Sequence, residues 1–202
     1  MFLPHRLRAL RRIRPVLDLE TVRTIGTSFV HSKLDYCSSV YYGHPKHQLN
    51  RLQHIDNSVA RAVVAAPRSS NPDHILRSLN WLKVLERIGY QLISITYKLL
   101  QSRIPYYLRN VIAIQLSRST RSSSLVTLLY TPVQPGLKIT NRSFRYAAPH
   151  PWDKLPASLR APYQFVKAVT SPDSGYGPVL HMSHGVLHSR LKTHLFSNSF
   201  PA

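Results

Sequence analysis

The chain has 202 residues and a formal net charge of +19, because 27 lysines and arginines are opposed by only 8 acidic residues. Apolar residues make up 43% of the chain, which is enough to bury a core, so a disordered basic tail is not expected. The positive charge is spread along the whole sequence and favours a folded protein with a polyanionic partner, nucleic acid above all. A membrane partner is not expected, since the sequence has no apolar run of about 18 residues.

The cysteine content and the N-terminal segment bear on the compartment. Cys37 is the only cysteine, so we expect no intrachain disulfide, no thiolate zinc cluster and a reduced, intracellular protein. The first sixteen residues carry arginines but no acid, as in an organelle transit peptide. Because Pro4 and Pro15 bracket this run and it continues into helical sequence, we predict the nucleus or cytoplasm rather than the mitochondrion.

Residues 1–115 predict a helical domain. Apolar residues recur there at helical spacing, and Asp18 is the expected N-cap of the first long helical region. The predicted helical stretches are 18–65, within which 34–42 and 49–63 are separate pieces, then 74–79 and 84–101. With four or five such apolar faces, a compact helical bundle is the economical way to bury them, so the predicted fold class is mainly α.

The sequence changes character after residue 115. We predict a small irregular or β-hairpin region there, in which 125–130 pairs with 137–140, followed by a short helix over 142–148 that ends at Pro149 and Pro151. The predicted domains are a helical domain over 1–115, a basic loop with the hairpin and the short helix over 116–160, a flexible linker over 161–186, and a short C-terminal helix and tail over 187–202.

Metal-dependent catalysis is not expected from this chain. Nucleotide transfer by two metal ions needs carboxylates close enough to bridge ions about 4 Å apart. Asp18 and Glu20 are the nearest pair of acids, and the dipole of a helix that begins there explains them more simply. The seven glycines are scattered singly, so no glycine-rich loop could cradle a phosphate. We therefore predict that the chain is not an enzyme and has no cofactor and no metal site.

The densest histidine cluster is His181, His184, His188 and His194. The step from His184 to His188 would place two imidazoles on one side of a helix, where zinc could bind them. Gly185 interrupts this step, and no cysteine or carboxylate joins the cluster. Solvated histidines in a loop are therefore the prediction.

Basic side chains in four places are the candidates for binding nucleic acid. Guanidinium groups, serine hydroxyls and main-chain amides contact phosphates, and aromatic rings beside arginines stack on unpaired bases. The candidates are Arg8, Arg11, Arg12 and Arg14 near the N-terminus, Arg51 and Arg61 on the polar side of the third helix, Arg118 and Arg121 in a serine-rich loop, and Lys138, Arg142 and Arg145 beside Phe144 and Tyr146. For each of them, an ordinary solvated position is the alternative.

Nine short motifs occur in order along the chain. They are Leu10–Leu17 (LRRIRPVL), Ser32–Ser38 (SKLDYCS), Arg51–Asn57 (RLQHIDN), Leu79–Val84 (LNWLKV), Pro105–Leu108 (PYYL), Thr120–Ser124 (TRSSS), Arg142–Phe144 (RSF), Trp152–Pro156 (WDKLP) and Arg190–Phe196 (RLKTHLF). Together they resemble the region that follows the catalytic palm in non-LTR (LINE-type) retrotransposon reverse transcriptases, particularly Jockey-like clades. The resemblance covers nearly the whole chain except residues 161–186.

The resemblance implies a helical thumb, which in that family closes on the template–primer duplex, and a tail associated with the element RNA. The fingers, the palm with its catalytic acids, the endonuclease and any Cys/His knuckle have no counterpart in these motifs. We therefore expect a non-catalytic, nucleic-acid-binding fragment that begins downstream of the palm, with RNA or an RNA–DNA duplex as partner and a palm-containing reverse transcriptase as a partner in trans. The alternatives are a basic structural component of a ribonucleoprotein and a transposon-derived open reading frame without function.

Overall fold

The computed structural model describes residues 3–36, 38–102, 106–115, 125–131, 143–161 and 182–201. This part of the chain is mainly helical and contains no strand, which confirms the predicted mainly α fold class. The helices are α1 Leu3–Ile13, α2 Leu19–Asp35, α3 Ser38–Tyr41, α4 Lys46–Val63, α5 Pro72–Ser78, α6 Val84–Ser102, α7 Tyr106–Arg109, α8 Phe144–Ala147, α9 Pro149–Asp153, α10 Ala157–Arg160 and α11 His184–Ser199, with a 3-10 turn at Arg14–Val16 between α1 and α2.

Asp18 is the N-cap of α2, as predicted. The hydroxyl of Thr21 and the amide of Thr21 both donate hydrogen bonds to its carboxylate, at 2.6 and 2.9 Å. These two hydrogen bonds, the hydroxyl's first, lower the pKa of Asp18. A carboxylate at this position also satisfies an amide that has no partner within the helix. Local sequence chemistry therefore determines where α2 begins.

The chain forms two compact units. Unit 1 comprises Met1–Ile88 with His194–Ala202, and unit 2 comprises Gly89–Thr193. The boundaries lie within α6 and within α11, whereas the predicted domain boundaries followed residues 115, 160 and 186. Both helices continue without a proline or a linker-like composition at these points, and α6 runs on through Gly89, so no helix-ending signal in the sequence marks them.

Unit 1 is built around α4, against which α1, α2 and α5 all pack. The buried side of α4 includes Val59 and Val63. Arg87 connects the start of α6 to the last turn of α2, because its Nε and Nη2 each lie 2.8 Å from a carboxylate oxygen of Asp35. Such bidentate ion pairs fix the relative position of two side chains more strongly than a single hydrogen bond does. Apolar packing on α4 and this ion pair together position the helices of unit 1.

Helices α2 and α4 approach closely at Gly26. A Cβ atom on Gly26 would lie 2.9 Å from Cγ2 of Val63 and 3.4 Å from Cγ1 of Val59, which are buried and branched at Cβ and so have little freedom to move. We expect Gly26→Ala to lower the free energy of unfolding by about 1–3 kcal/mol, measured by urea denaturation followed by circular dichroism. Gly89→Ala is the matched control: its Cβ would meet no neighbouring residue within 4 Å, so higher helix propensity should raise stability by about 1 kcal/mol. A more stable Gly26→Ala variant would contradict the close approach.

Helices α4 and α5 end with the same arrangement. The second residue after each helix, Ala65 and Asn80, adopts a left-handed conformation with φ of 55° and 57°. In both cases this residue and the next donate their amides to carbonyls three and five residues earlier, as in a Schellman motif. Asparagine is a common residue in this conformation, but alanine is strained there because of its Cβ. The sequence therefore signals the end of α5 more clearly than the end of α4.

Replacing Ala65 with glycine should relieve that strain. We expect Ala65→Gly to raise the free energy of unfolding by about 0.5–1 kcal/mol, measured by thermal denaturation. Asn80→Gly is the control with almost the same φ, and its effect should be smaller because asparagine tolerates the conformation. A lower midpoint for Ala65→Gly than for the parent chain would show that the alanine is not strained.

The core of unit 2 forms around Trp152, which is 0% exposed. Its indole N–H donates a hydrogen bond of 2.9 Å to the carbonyl of Val126. The ring of Tyr97, also fully buried, lies 6.5 Å from that of Trp152, and the Tyr97 hydroxyl donates to the carbonyl of Met182. Burial raises the pKa of Tyr97. Two large aromatic side chains therefore tie together α6, α9 and two loop segments.

The apolar run over 125–130 pairs with a segment that the sequence did not indicate. Leu128 forms an isolated antiparallel bridge with Ile114, flanked by main-chain hydrogen bonds of 2.8 and 3.0 Å. The other half of the predicted hairpin, 137–140, lies outside the described residues. A pairing partner distant in sequence cannot be read from a local turn signal, which is why the bridge to Ile114 was missed.

Pro149 ends α8 and also begins α9. The predicted short helix does end before Pro149, as α8, but the sequence analysis did not foresee that a second helix begins at Pro149 and contains Pro151. The physical reason is that the first amides of a helix have no partner within it, so proline there sacrifices no hydrogen bond. The consequence for the fold is large, because α9 carries Trp152 into the core of unit 2.

Candidate nucleic-acid interface

Three of the predicted arginines lie on one side of α1. Arg8, Arg11 and Arg12 are spaced three and four residues apart, which places them on a common face, and all three side chains are exposed. Leu10, on the opposite side of the helix, is 2% exposed and packs in the core. In the part of the chain that the structure describes, none of the three forms an ion pair. We refer to these three residues as the α1 arginine face.

Arg14 and Arg61 donate hydrogen bonds to the main chain. Nε of Arg14 donates to the carbonyl of Val63 at 2.6 Å, and Nη1 donates to that of Leu17 at 3.1 Å. Nε and Nη2 of Arg61 both donate to the carbonyl of Ser70, at 3.2 and 3.1 Å. A guanidinium group at the last turn of α4 is also favoured by the helix dipole. Part of each donor set is therefore engaged within the fold, and a role for these two arginines in binding phosphates stays a prediction.

Arg51 belongs to an exposed polar stripe on α4. The stripe consists of His47, Asn50, Arg51 and His54, at three- and four-residue spacing along the surface. The single acid of α4, Asp56, is buried on the other side of the helix. The stripe therefore adds a permanent cation and several hydrogen-bonding groups to the surface of unit 1, without a carboxylate to neutralise them.

The acidic side chains are used within the fold. Among the described residues, the ion pairs between carboxylates and lysine or arginine are Glu20–Arg23, Asp35–Arg87, Asp73–Lys83 and Asp153–Arg160. Of the remaining acids, Asp18 caps α2, Asp56 is buried and Glu86 is half-buried, while Asp173 lies outside the described residues. The exposed arginines of α1 and α4 therefore keep their positive charge available to a polyanion.

Glu86 is a carboxylate that the fold disfavours in its charged form. Burial raises the pKa of Glu86, although its own amide and the charge of Lys83 oppose the shift. Its Oε2 atom is buried and has no hydrogen-bond partner among the described residues. Because the folded chain holds this proton more tightly than the unfolded chain does, the stability that Glu86 contributes is present at low pH and is lost as the pH rises through the raised pKa.

We expect Glu86→Gln to be more stable than the parent chain at pH 7. Glutamine cannot ionise, so the difference should disappear as the pH falls below 4.5, the ordinary pKa of the carboxyl group. Urea denaturation at a series of pH values measures this dependence. Glu20→Gln, at an exposed position, controls for the loss of one negative charge and should change stability by less than about 0.5 kcal/mol. Equal stability of Glu86→Gln and the parent chain at pH 7 would contradict a burial penalty.

The candidates in the C-terminal half are only partly covered by the structure. Arg145 is exposed on α8, and its Nε donates to the hydroxyl of Thr131 at 3.2 Å. The rings of Phe144 and Tyr146, expected to stack on bases, are half-buried. Four further candidates lie outside the described residues, namely Arg118, Arg121, Lys138 and Arg142. Base stacking by this region therefore stays a prediction.

A buried histidine–aspartate pair between α2 and α4 was not predicted. Nε2 of His31 lies 3.1 Å from Oδ1 of Asp56, with side chains only 6% and 1% exposed. The ring of Trp81 packs edge-on against His31, with the centroids 4.5 Å apart. The sequence did contain a signal, because Asp56 interrupts the apolar stripe of α4. An acid at such a position needs a partner from another element, and here it fixes how α2 lies on α4.

The structure corrects the prediction that the C-terminal histidines lie in a loop. His184 and His188 both belong to α11, whereas His181 lies outside the described residues. No group of three or more His, Cys, Asp or Glu side chains in the described ranges is placed to hold a metal ion together. Among the same residues, no helix combines the length and apolar character needed to cross a bilayer.

The candidate interface therefore consists of the α1 arginine face together with Arg51, all in unit 1 and all exposed. These side chains belong to α1 and α4, two helices that pack against each other. Comparisons with protein-family models, with curated proteins and with solved structures found no match to this chain.

Proposed function

We propose that the chain is a non-catalytic nucleic-acid-binding fragment, derived from the thumb and C-terminal region of a non-LTR retrotransposon reverse transcriptase. Its partner is RNA or an RNA–DNA duplex. The observation that carries the binding proposal is the α1 arginine face: three exposed guanidinium groups without ion-pair partners in the described structure, on a chain with a net charge of +19.

Binding of this kind depends on phosphate contacts rather than on base sequence. Arginine forms two parallel hydrogen bonds to a phosphate, and each neutralised phosphate releases condensed counterions from the nucleic acid. Arg8, Arg11 and Arg12 supply three such groups on one helix face, and Arg51 supplies a fourth on α4. Affinity is therefore sensitive to salt and similar for different sequences.

The order of the nine sequence motifs and the helical fold support the thumb origin. The first motif, Leu10–Leu17, includes two members of the α1 arginine face, Arg11 and Arg12. No residue is assigned a catalytic role, and a palm-containing reverse transcriptase is the partner through which this fragment would act on a template–primer duplex. A basic structural component of a ribonucleoprotein is the alternative.

Fluorescence anisotropy with labelled single-stranded RNA, an RNA–DNA hybrid and double-stranded DNA tests the proposal. The logarithm of the binding constant should fall linearly with the logarithm of salt concentration, by about 0.9 per phosphate contact on duplex DNA and about 0.7 on single strands. Different sequences of equal length should bind within a few-fold of one another. Absence of binding to all three probes at low salt, or affinity that does not respond to salt, would overturn the proposal.

A further inference from the structure

Two histidine side chains meet at the first turn of α11, within unit 2. Nε2 of His184 and Nε2 of His188 lie 3.0 Å apart, and the ring centroids lie 4.0 Å apart at an interplanar angle of 68°. His184 is exposed and His188 is half-buried. Gly185 lies between them, and a Cβ atom there would meet no neighbouring residue within 4 Å. The two nitrogen atoms are therefore close together on a turn of α11 where one of the two side chains is exposed.

Tyr90, on α6, orients the ring of His188. Its hydroxyl forms a hydrogen bond with Nδ1 of His188, and the two rings pack with their centroids 5.4 Å apart. Histidines that bind metals generally use one ring nitrogen for the metal and the other for such a hydrogen bond, which fixes the tautomer and the direction of the ring. When Nδ1 donates to the Tyr90 oxygen, the lone pair of Nε2 is available on the side of His184.

At 3.0 Å the two Nε2 atoms share one hydrogen bond. A metal ion bound by both rings would replace the proton of that hydrogen bond and would lie to one side of the line between the two nitrogen atoms.

We infer that His184 and His188 form a binding site for a divalent late first-row transition metal, with copper(II) favoured because it leads the affinity order of these ions. With metal–nitrogen bonds of about 2.05 Å, the Nε2–Nε2 separation of 3.0 Å corresponds to an angle of about 90° at the metal. This is the angle between neighbouring ligands in square-planar and octahedral complexes.

The affinity of such a site is limited by two features of the structure. Only two protein ligands are supplied, so water or an external donor completes the coordination. The dipole of α11 also disfavours a cation at its first turn. A dissociation constant in the micromolar range is therefore expected for copper(II). Nickel(II) and zinc should bind more weakly than copper(II).

Titration of the full chain with CuCl₂, followed by electron paramagnetic resonance, tests the site. The chain has 11 histidines, and those outside the pair can also bind copper. The site is therefore identified from the difference in copper stoichiometry between the parent chain and a variant that lacks both histidines. The double variant His184→Ala/His188→Ala should bind one copper equivalent fewer than the parent chain, and the difference spectrum should show two equatorial nitrogen ligands. His194→Ala, on the same helix but outside the pair, is the matched control and should keep the full stoichiometry. Equal stoichiometry in the parent chain and the double variant would overturn the site.

Two further variants examine the geometry. Tyr90→Phe should weaken copper binding by about tenfold, as loss of a hydrogen bond to a ligating histidine does elsewhere. Gly185→Ala should retain binding, because its Cβ has space and alanine favours the helix that brings the two rings together. Circular dichroism verifies that each variant folds. Unchanged affinity in Tyr90→Phe would overturn the orienting role, and tighter binding of zinc than of copper would overturn the metal preference.

Discussion

Replacing Arg8, Arg11 and Arg12 together with glutamine is expected to lower the affinity for RNA and for hybrid duplex by about two to three orders of magnitude at 0.1 M salt. Each neutralised phosphate contributes about 0.9 to the slope of log affinity against log salt on duplex DNA and about 0.7 on single strands, so three lost contacts should reduce the slope by about 2.7 or about 2.1 respectively. Glutamine removes the charge and keeps a similar helix propensity. All three positions are exposed, so the stability of unit 1 should change little.

The control must remove the same charge elsewhere. Lys98, Lys154 and Arg190 are exposed and lie in unit 2, and their joint replacement with glutamine also lowers the net charge by three. This variant should reduce the slope of log affinity against log salt by less than the value for a single phosphate contact. Its charges act only through the general field of the protein. If both triple variants lost affinity and slope equally, binding would depend on net charge alone and the α1 arginine face would not be the interface.

Trp152→Ala is expected to lower the free energy of unfolding of unit 2 by about 3–5 kcal/mol. The side chain is 0% exposed, so its removal leaves a large cavity in a closely packed core. The carbonyl of Val126 also loses the indole N–H that donates to it at 2.9 Å. Since domains are stable by only about 5–15 kcal/mol in total, this single change should remove much of the stability of unit 2.

The distribution of tryptophan allows the two units to be followed separately. Trp81 lies in unit 1 and Trp152 in unit 2, and they are the only tryptophans of the chain. In Trp152→Ala, the fluorescence of Trp81 reports on unit 1 while circular dichroism reports on the whole chain during urea denaturation. Tyr107→Ala, at a ring that is 74% exposed, controls for the loss of an aromatic side chain and should cost less than about 0.5 kcal/mol. A loss below about 1 kcal/mol for Trp152→Ala would contradict its central place in the core.

The long helices could be predicted because their signals are local. Asp18 marks the start of α2, and the apolar stripe from Leu49 to Val63 marks α4. The prediction failed where a local signal has two meanings. Pro149 ends one helix and begins the next, and only the burial of Trp152 inside unit 2 explains the second role. The same holds for Gly185, which interrupts the histidine spacing in the sequence without interrupting α11.

The candidate interface was predicted as a set of arginines, without a means to rank them. Arg12 and Arg14 lie two residues apart in the same basic segment, and nothing in the composition of that segment distinguishes them. In the folded chain Arg12 is exposed, whereas Arg14 reaches a carbonyl 49 residues away, at the end of α4. Such a contact depends on how α1 packs on α4, so no pattern within the basic run could indicate it.

The sequence by itself determined the helical class, the strong positive charge and the scarcity of acids, because periodicity and composition are properties of short segments or simple sums over the chain. Only the tertiary structure decided which charges remain at the surface. It pairs four carboxylates with lysine or arginine, buries Asp56 against His31, and leaves Arg8, Arg11 and Arg12 exposed. The physical reason is that exposure and pairing are set by contacts between residues far apart in the chain, which form only when the helices pack.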